Sequence, residues 1–443
     1  MPCRTLHLIG LALIGWSVCA GSTHAADFHA GPQDYREFLP RLVAGDRLLL
    51  RPGEYQRGLP LQGLNGEPGR PVVIEGPASG QRARFIARAG ANTISLTDVR
   101  HLHIRNLELD GGNRPVDAVK AEGHAAYAHF VTLENLHIHD YAASQQNVGI
   151  STKCPVFGWV IRGNRIERVG TGMYLGNSDG SDPFVNGLIE GNRISETLGY
   201  NLQIKHQKRR PEDLPEAGQA HTTRIRANLF SKTDGQPGPL ARPNVLIGDL
   251  PPQGPGSEDR TLVYGNLFWQ NPGESLFQGE GHLSIYNNVF ITRGPDAIRI
   301  QPHNGVPRDV RVLHNTVVAA GNGITLRTPE DNPYTQVVAG NVVFSPHPIS
   351  GGEQQGNLTG AFDRAGWFLT RPHAELGRID LSPRRALAAQ PISQPAGGEN
   401  WPEFEVDFFG RPRQGVSVGA FGSRGAAPLQ TWLHQAGFSG EGL

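Results

Sequence analysis

Lys205 and His206 are neighbours in a chain of 443 residues, and Arg299 and His303 recur in a later stretch of the same β-rich type. Tyr174, Asn201, Gln203, Asp249, Gln278, Glu280 and Gln301 occupy comparable places in related stretches. These residue types can serve acid–base chemistry on an anionic substrate. A cation set against a carboxylate makes the proton on the adjoining carbon more acidic. A base then removes that proton and an acid protonates the leaving oxygen. Lysine serves as the base only where burial or neighbouring cations lower its pKa. The catalytic candidates are therefore Lys205, His206, Arg299, His303 and Tyr174. The candidate substrate contacts are Asn201, Gln203, Asp249, Gln278, Glu280 and Gln301. Asp249 and Glu280, taken as a carboxylate pair, would instead suit glycoside hydrolysis. A solvated Lys205 and a turn-capping His303 are the plain structural alternatives. Asp179 and Asp182, on a Gly-rich turn, bring together two acidic ligands of the kind Ca²⁺ takes, and an Asx turn accounts for the same pair without an ion. No Cys/His zinc spacing and no phosphate-binding Gly loop stands out, so Ca²⁺ is the one cofactor the sequence suggests.

Side chains so far apart in sequence need a repeating scaffold to bring them together. A short phrase supplies it: a β-rich run, an Asn, a spacer and an aliphatic residue. It begins at Asn106, Asn135, Asn164, Asn192, Asn228, Asn266, Asn288, Asn315 and Asn341, at steps of 29, 29, 28, 36, 38, 22, 27 and 26. A period in the twenties, stretched by insertions, marks a solenoid. Asn tolerates the left-handed turn conformation, and its amide can bond the same amide one coil away. The flanking runs alternate with period two rather than 3.6. The expected fold is all-β, a right-handed parallel β-helix. Each coil parses into a strand before the Asn, a short strand after it and a third beginning near Gly. On the third strands Ile150, Met173, Leu175, Leu202 and Ile204 face in, while Lys153, Tyr174, Asn201, Gln203, Lys205, Arg299, Gln301, His303 and Arg327 face out.

The whole chain carries 41 Lys plus Arg against 41 Asp plus Glu, so no global field favours nucleic acid or an anionic membrane. Arg4, the apolar run from Leu8 to Val18 and Thr23-His24-Ala25-Ala26 have the order of a secretory leader, expected to end at residue 25 and too short to span a bilayer. Its removal leaves Cys154 as the single cysteine, hence no intramolecular disulfide, in a secreted or periplasmic and monomeric protein with no membrane insertion.

From 26 to 422 the expectation is one solenoid with caps. Tyr35, Phe38, Leu39 and Leu42 form an amphipathic stripe suited to an N-terminal cap. The stretch Tyr35-x-x-Phe-Leu-x-x-Leu-x-x-Gly45-Asp46-x-Leu-x-Leu-x-x-Gly53-x-Tyr55, then Gly69-x-Pro71-Val-Val-Ile-x-Gly76, resembles the start of β-helix polysaccharide lyases of the chondroitinase B and alginate lyase type. The likeness continues through His101-Leu-His-Ile-Arg-Asn-Leu-Glu-Leu-Asp110-Gly-Gly and covers the first quarter of the chain. It implies a Lys base on such a strand with an Arg on the next coil. Lys205 matches the Lys, but the next coil reads Asn244-Val-Leu-Ile-Gly-Asp249 and offers no Arg. Gln301-Pro302-His303-Asn304 is similar to the Asp-Pro-His-Asp of β-helix mannuronan C5-epimerases, with both acids replaced by amides. Insertions at 207–222, 231–243 and 251–259 are expected as surface loops walling a groove. Asp407-Phe-Phe-Gly410-Arg-Pro-Arg413 and Val418-Gly-Ala-Phe-Gly422 resemble a closing motif of secreted β-helix proteins, read as a C-terminal cap, with 423–443 as a loosely held tail.

Together these imply an exported enzyme on an acidic polysaccharide, foremost an eliminating lyase on a uronate glycan. A C5-epimerase or hydrolase on the same groove, and a non-catalytic glycan-binding solenoid, are the alternatives.

Overall fold

The computed structural model describes residues 25–123, 126–233, 238–384, 387, 401–413, 417–422, 429–435 and 438. The expected leader lies outside these residues, apart from Ala25.

Period-two alternation produces strands whose every second side chain is buried, as in Val72–Glu75, Ala83–Ile86 and Ile94–Thr97. Each such triplet makes one coil, and the coils stack into three long parallel sheets. Sheet I, with 15 strands, begins Asp27–Ala30, Arg47–Leu50, Val72–Glu75; sheet II, with 12, begins Gly53–Tyr55, Ala83–Ile86; sheet III, with 11, runs from Leu59–Gln62 to His347–Ser350. The chain is a right-handed parallel β-helix. Ile150, Met173, Leu175, Leu202 and Ile204 fill its interior at 3% exposure or less, and Phe230, Phe268 and Phe290 stack there from coil to coil. Cys154 is a free, buried core residue.

The corner between sheets I and II carries the Asn ladder. The amides of Asn164, Asn192, Asn228, Asn266, Asn288, Asn315 and Asn341 each donate to the side-chain oxygen of the next Asn, ending on Asn357, at 2.9–3.0 Å. The same oxygens accept the preceding Asn's backbone N–H. Two points differ from the sequence reading. The left-handed residue is the one before each ladder Asn, as at Gly163 (φ 62°), Ala227 (φ 54°) and Gly265 (φ 62°). Asn106 and Asn135 themselves occupy that left-handed position (φ 61° and 51°). They bond each other but stand one residue out of register with the ladder, where Leu136 N–H takes the Asn164 oxygen instead.

At the N-terminal end, Asp27–Ala30 adds a strand to sheet I before the short helix Tyr35–Phe38. Tyr35 is fully buried and meets Tyr55 and Phe85 edge-on. The C-terminal segment turns back along the outside of the solenoid. Ala365, Leu369, Leu376, Ile379, Phe408, Val418 and Phe421 pack on Leu229, Leu267, Trp269, Val289, Ile291 and Val342 of sheet II. Trp401 and Phe404 pack on Tyr264 and Tyr286 of sheet I. The described part of the expected tail includes a helix, Leu429–Gln435, whose Leu429 and Leu433 are 1% exposed. Among the described residues no helix is long and apolar enough to cross a membrane.

Candidate active site

Sheet III sets the site because its strand register lines up one outward row. Lys120, Ser151, Tyr174, Gln203, Leu246, Gln278 and Arg299 are paired in that order on successive strands. Coils in a parallel stack stand about 4.8 Å apart, so neighbours in this row touch while its ends are far apart. A second row follows the ends of the same strands, where the backbone N–H groups of Lys205, Gly248 and Glu280 bond to Leu175, Ile204 and Ile247.

Tyr174 is the centre of the arrangement. The Lys153 ammonium lies 3.8 Å from the centroid of its ring, and that of Lys205 lies 5.9 Å away. Both lysines are half-buried. Burial, helped by Lys120 and Lys205, pushes the Lys153 ammonium down to about 8, while Asp117 works against the shift. Burial also lowers Lys205, with Glu280 opposing. The Tyr174 phenol is raised by burial, so it stays protonated and able to donate. A cleft of about 330 Å³ opens beside these groups, lined by Asp117, Lys120, Lys153, Tyr174, Tyr200 and Arg242 among others. Asp117, which accepts Val148 N–H, has its pKa raised by burial. The cleft therefore brings three cationic side chains, of which Lys120 is ion-paired with Glu122 at 2.7 Å, round two phenols and one carboxyl of weakened acidity.

The sequence candidates divide. Lys205 and Tyr174 belong to this cluster, and Gln203 is next to Tyr174 in the row but only 4% exposed. His206 follows Lys205, its Nδ1 buried without a partner and its ring beside Gly180; burial and Lys205 lower its pKa. Arg299 shares the sheet but stands three coils beyond Lys205, committed to Glu274 at 3.0 Å and to Asp296. Gln278 lies between the two groups. Asn201 does not face the groove: it sits at the corner before Leu202–Ile204, is fully buried, and donates to the Thr197 hydroxyl and the Ser231 carbonyl. The alternation that assigned it outward holds only within the strand. Glu280, 1% exposed, accepts the backbone N–H groups of His303, Asn304 and Gly305. This pins the turn after Gln301 and leaves His303 exposed on the surface. Asp249 is raised by burial and stands 3.5 Å from Arg308. Glu280 is thus occupied by the 303–305 turn, while Asp249 is a largely buried acid whose Oδ1 has no hydrogen-bond partner beyond that ion pair. The Asp179 carboxylate accepts both Ser181 N–H and Ser181 O–H, an Asx turn.

On the coil after Lys205 the position beside it is Gly248. A Cβ at Gly248 would lie 2.2 Å from the His206 nitrogen, so no side chain fits beside the Lys205–His206 peptide. Sequence reasoning missed Asp117, Lys120, Tyr200 and Arg242. Lys120 and Lys153 carry a readable signal, since Lys120 takes an outward position within the third strand Val119–Glu122 and Lys153 directly follows the third strand Val148–Thr152; Asp117, Tyr200 and Arg242 come from turns whose path across the sheet has no period. On sheet II, Asp110, His139 and Asp140 also converge, with candidate ligand atoms within 4.8 Å of one another. Arg84 and Arg168 already neutralise the two acids.

No family model matches the sequence, and no curated protein matches it. Solved structures do. The PL6 family alginate lyase AlyGC is 14% identical, over 75% of this chain and 51% of that one, with a TM-score of 0.49. The PL6 family polysaccharide lyase from Pseudopedobacter saltans is 13% identical over 89% and 99%, with a TM-score of 0.49. An alginate lyase from Paenibacillus sp. str. FPU-7 is 13% identical over 76% and 98%, with a TM-score of 0.48. The chain spans about half the length of AlyGC. The fold assignment rests on the strand pairing itself.

Proposed function

We propose that this protein is an exported polysaccharide lyase that cleaves a uronate-containing glycan by β-elimination in the sheet III cleft. The observation that carries the reading is the Tyr174 ring between Lys153 and Lys205, in a cleft that adds Lys120 and Arg242. In this reading Arg242 and Lys120 pair with the substrate carboxylate and make the C5 proton more acidic. Lys153, neutral in part near pH 8, takes that proton. The electron pair of the C5–H bond forms the C4–C5 double bond, the C4–O bond breaks, and the Tyr174 hydroxyl protonates the leaving oxygen. Lys205 holds the ring and adds positive potential. The apolar leader is the reason to place the protein outside the cytoplasm.

Glycan binding without turnover is the second reading. It draws on Gly248, which leaves no Arg opposite Lys205. Incubating the protein with alginate, pectate and glucuronate-containing glycans separates the cases. Growth of ultraviolet absorbance from a new conjugated double bond supports elimination. Reducing ends without absorbance mean hydrolysis, and solvent deuterium at C5 without cleavage means epimerisation. Retention on an immobilised glycan with no reaction of any kind supports the binder.

A further inference from the structure

Lys232 is a lysine that folding has placed almost wholly out of water, at 1% exposure. Burying an ammonium costs several kcal/mol unless it is paired, so its contacts identify its role. Its Nζ donates to the carbonyl oxygen of Arg242 at 2.9 Å. The Asn271 amide donates to the same oxygen at 2.8 Å. Burial, with Arg242 adding to it, pushes the Lys232 ammonium down to about 8. Arg242 belongs to the loop from Gly238 to Asn244, which leads into the sheet III strand Val245–Ile247. The far side of that loop is held by Gln145, whose amide donates to Leu198 and Leu240 carbonyls at 2.9 and 2.7 Å. The loop thus arches from its own coil back over the Tyr200 turn to the Gln145 turn. Its Arg242 side chain lines the cleft, while Leu240 at its crest is 55% exposed. The backbone of Arg242 is therefore tied from beneath by a buried cation, while its guanidinium lines the cleft with Nη1 donating to the Pro239 and Ala241 carbonyls at 2.9 and 2.7 Å.

We infer that Lys232 is a positioning residue: by gripping the Arg242 carbonyl it holds the 238–244 loop so that the Arg242 guanidinium faces the carboxylate of a uronate in the cleft. This rests on the proposed function for the identity of the ligand, but not for the anchoring itself. Arg242 makes the contact, and Lys232 acts only through it. A cation is used where a neutral donor would reach a carbonyl equally well, because a charge-assisted bond is about twice as strong.

The test uses the whole protein and the variants Lys232→Met, Arg242→Gln and the two combined, with a trisaccharide of galacturonate and one of mannuronate as probes. Met fills the site with nearly the same shape and removes the buried charge, a change that cores tolerate. Amide hydrogen exchange reports the anchor without any ligand. Lys232→Met should speed exchange in residues 238–244 at least about tenfold and leave the sheet III strands unchanged. Titration calorimetry reports the consequence. Each single variant should weaken binding of the preferred probe about tenfold, and the double variant no further than Arg242→Gln alone, the non-additivity expected of residues acting as one unit. Unchanged exchange in the loop overturns the anchor. Additive losses overturn action through Arg242. Faster loop exchange with neither probe bound by the wild type leaves the anchor standing and defeats the uronate reading instead. Should Lys232→Met not fold, Lys232→Leu, which also removes the donor, takes its place in the same comparison.

Discussion

At the residue scale, the pKa of Lys153 decides how the cleft works. An ordinary lysine is almost fully protonated at neutral pH and cannot take a proton. Lowered to about 8, mainly by burial, Lys153 gains its neutral form as pH rises through that value. Turnover of a uronate polymer should accordingly climb with pH, with an apparent midpoint near 8, and level off above it. Lys153→Met should lower kcat roughly 10²–10⁴-fold, the usual span for a lost general base, and abolish that rise. A steady-state pH–rate profile of both proteins checks this; a flat wild-type profile, or an unaffected variant, contradicts it. The lowered values of Lys153 and Lys232 also have a sign for stability. The folded chain sheds these protons before the unfolded chain does, so their contribution makes the protein more stable as pH rises above about 8. Urea midpoints at pH 8 and pH 9.5 should differ in that direction for wild type, and less in Lys232→Met.

At the scale of the element, the Asn ladder is the device that fixes register, and register is what places Tyr174 beside Lys153 and Lys205. Asn266 shows the stakes. Its oxygen accepts from the side chain and backbone of Asn228, and its amide donates to Asn288 and two carbonyls. Asn266→Ala leaves several of these buried groups without partners, at roughly 1–3 kcal/mol each. The urea midpoint should fall clearly. Asn135→Ala, outside the ladder and only partly buried, should fall less. Equal losses would contradict the distinction drawn between the two kinds of Asn. The ladder was legible in sequence because its residue type and spacing repeat. The left-handed position beside it was not, since Gly163, Ala227, Asn287 and His314 all occupy it and share no side-chain chemistry. The outward row was legible for Tyr174, Gln203 and Arg299 through period two, while the stretch from Ser275 to Glu280 has no clear alternation and left the facing of Gln278 open. Asn201 misled because it lies at the corner before its strand begins, and Asp117, Tyr200 and Arg242 stayed hidden because turns carry no period. Glu280 resembled a catalytic acid in sequence; only the fold reveals that it caps the 303–305 turn.

For the whole molecule, the solenoid is a stack whose coils depend on their neighbours, and the C-terminal segment braces its outer face. It covers Leu229, Leu267, Trp269, Val289 and Ile291 on sheet II, an apolar surface that a soluble protein does not leave open. A chain stopped after Gly360 should bind an apolar fluorescent dye strongly and self-associate on a sizing column, whereas a monodisperse, dye-silent product would contradict the brace. The brace lies on sheet II and the proposed cleft on sheet III, so the brace and the proposed chemistry occupy different faces of one scaffold. That separation makes the location of substrate the most direct test of the functional claim. A crystal structure of Lys153→Met with a bound uronate oligosaccharide should place one sugar over Tyr174, its carboxylate against Arg242 or Lys120 and its C5 facing residue 153. A sugar seated instead along Arg299 and His303, or on the sheet II face, would contradict it.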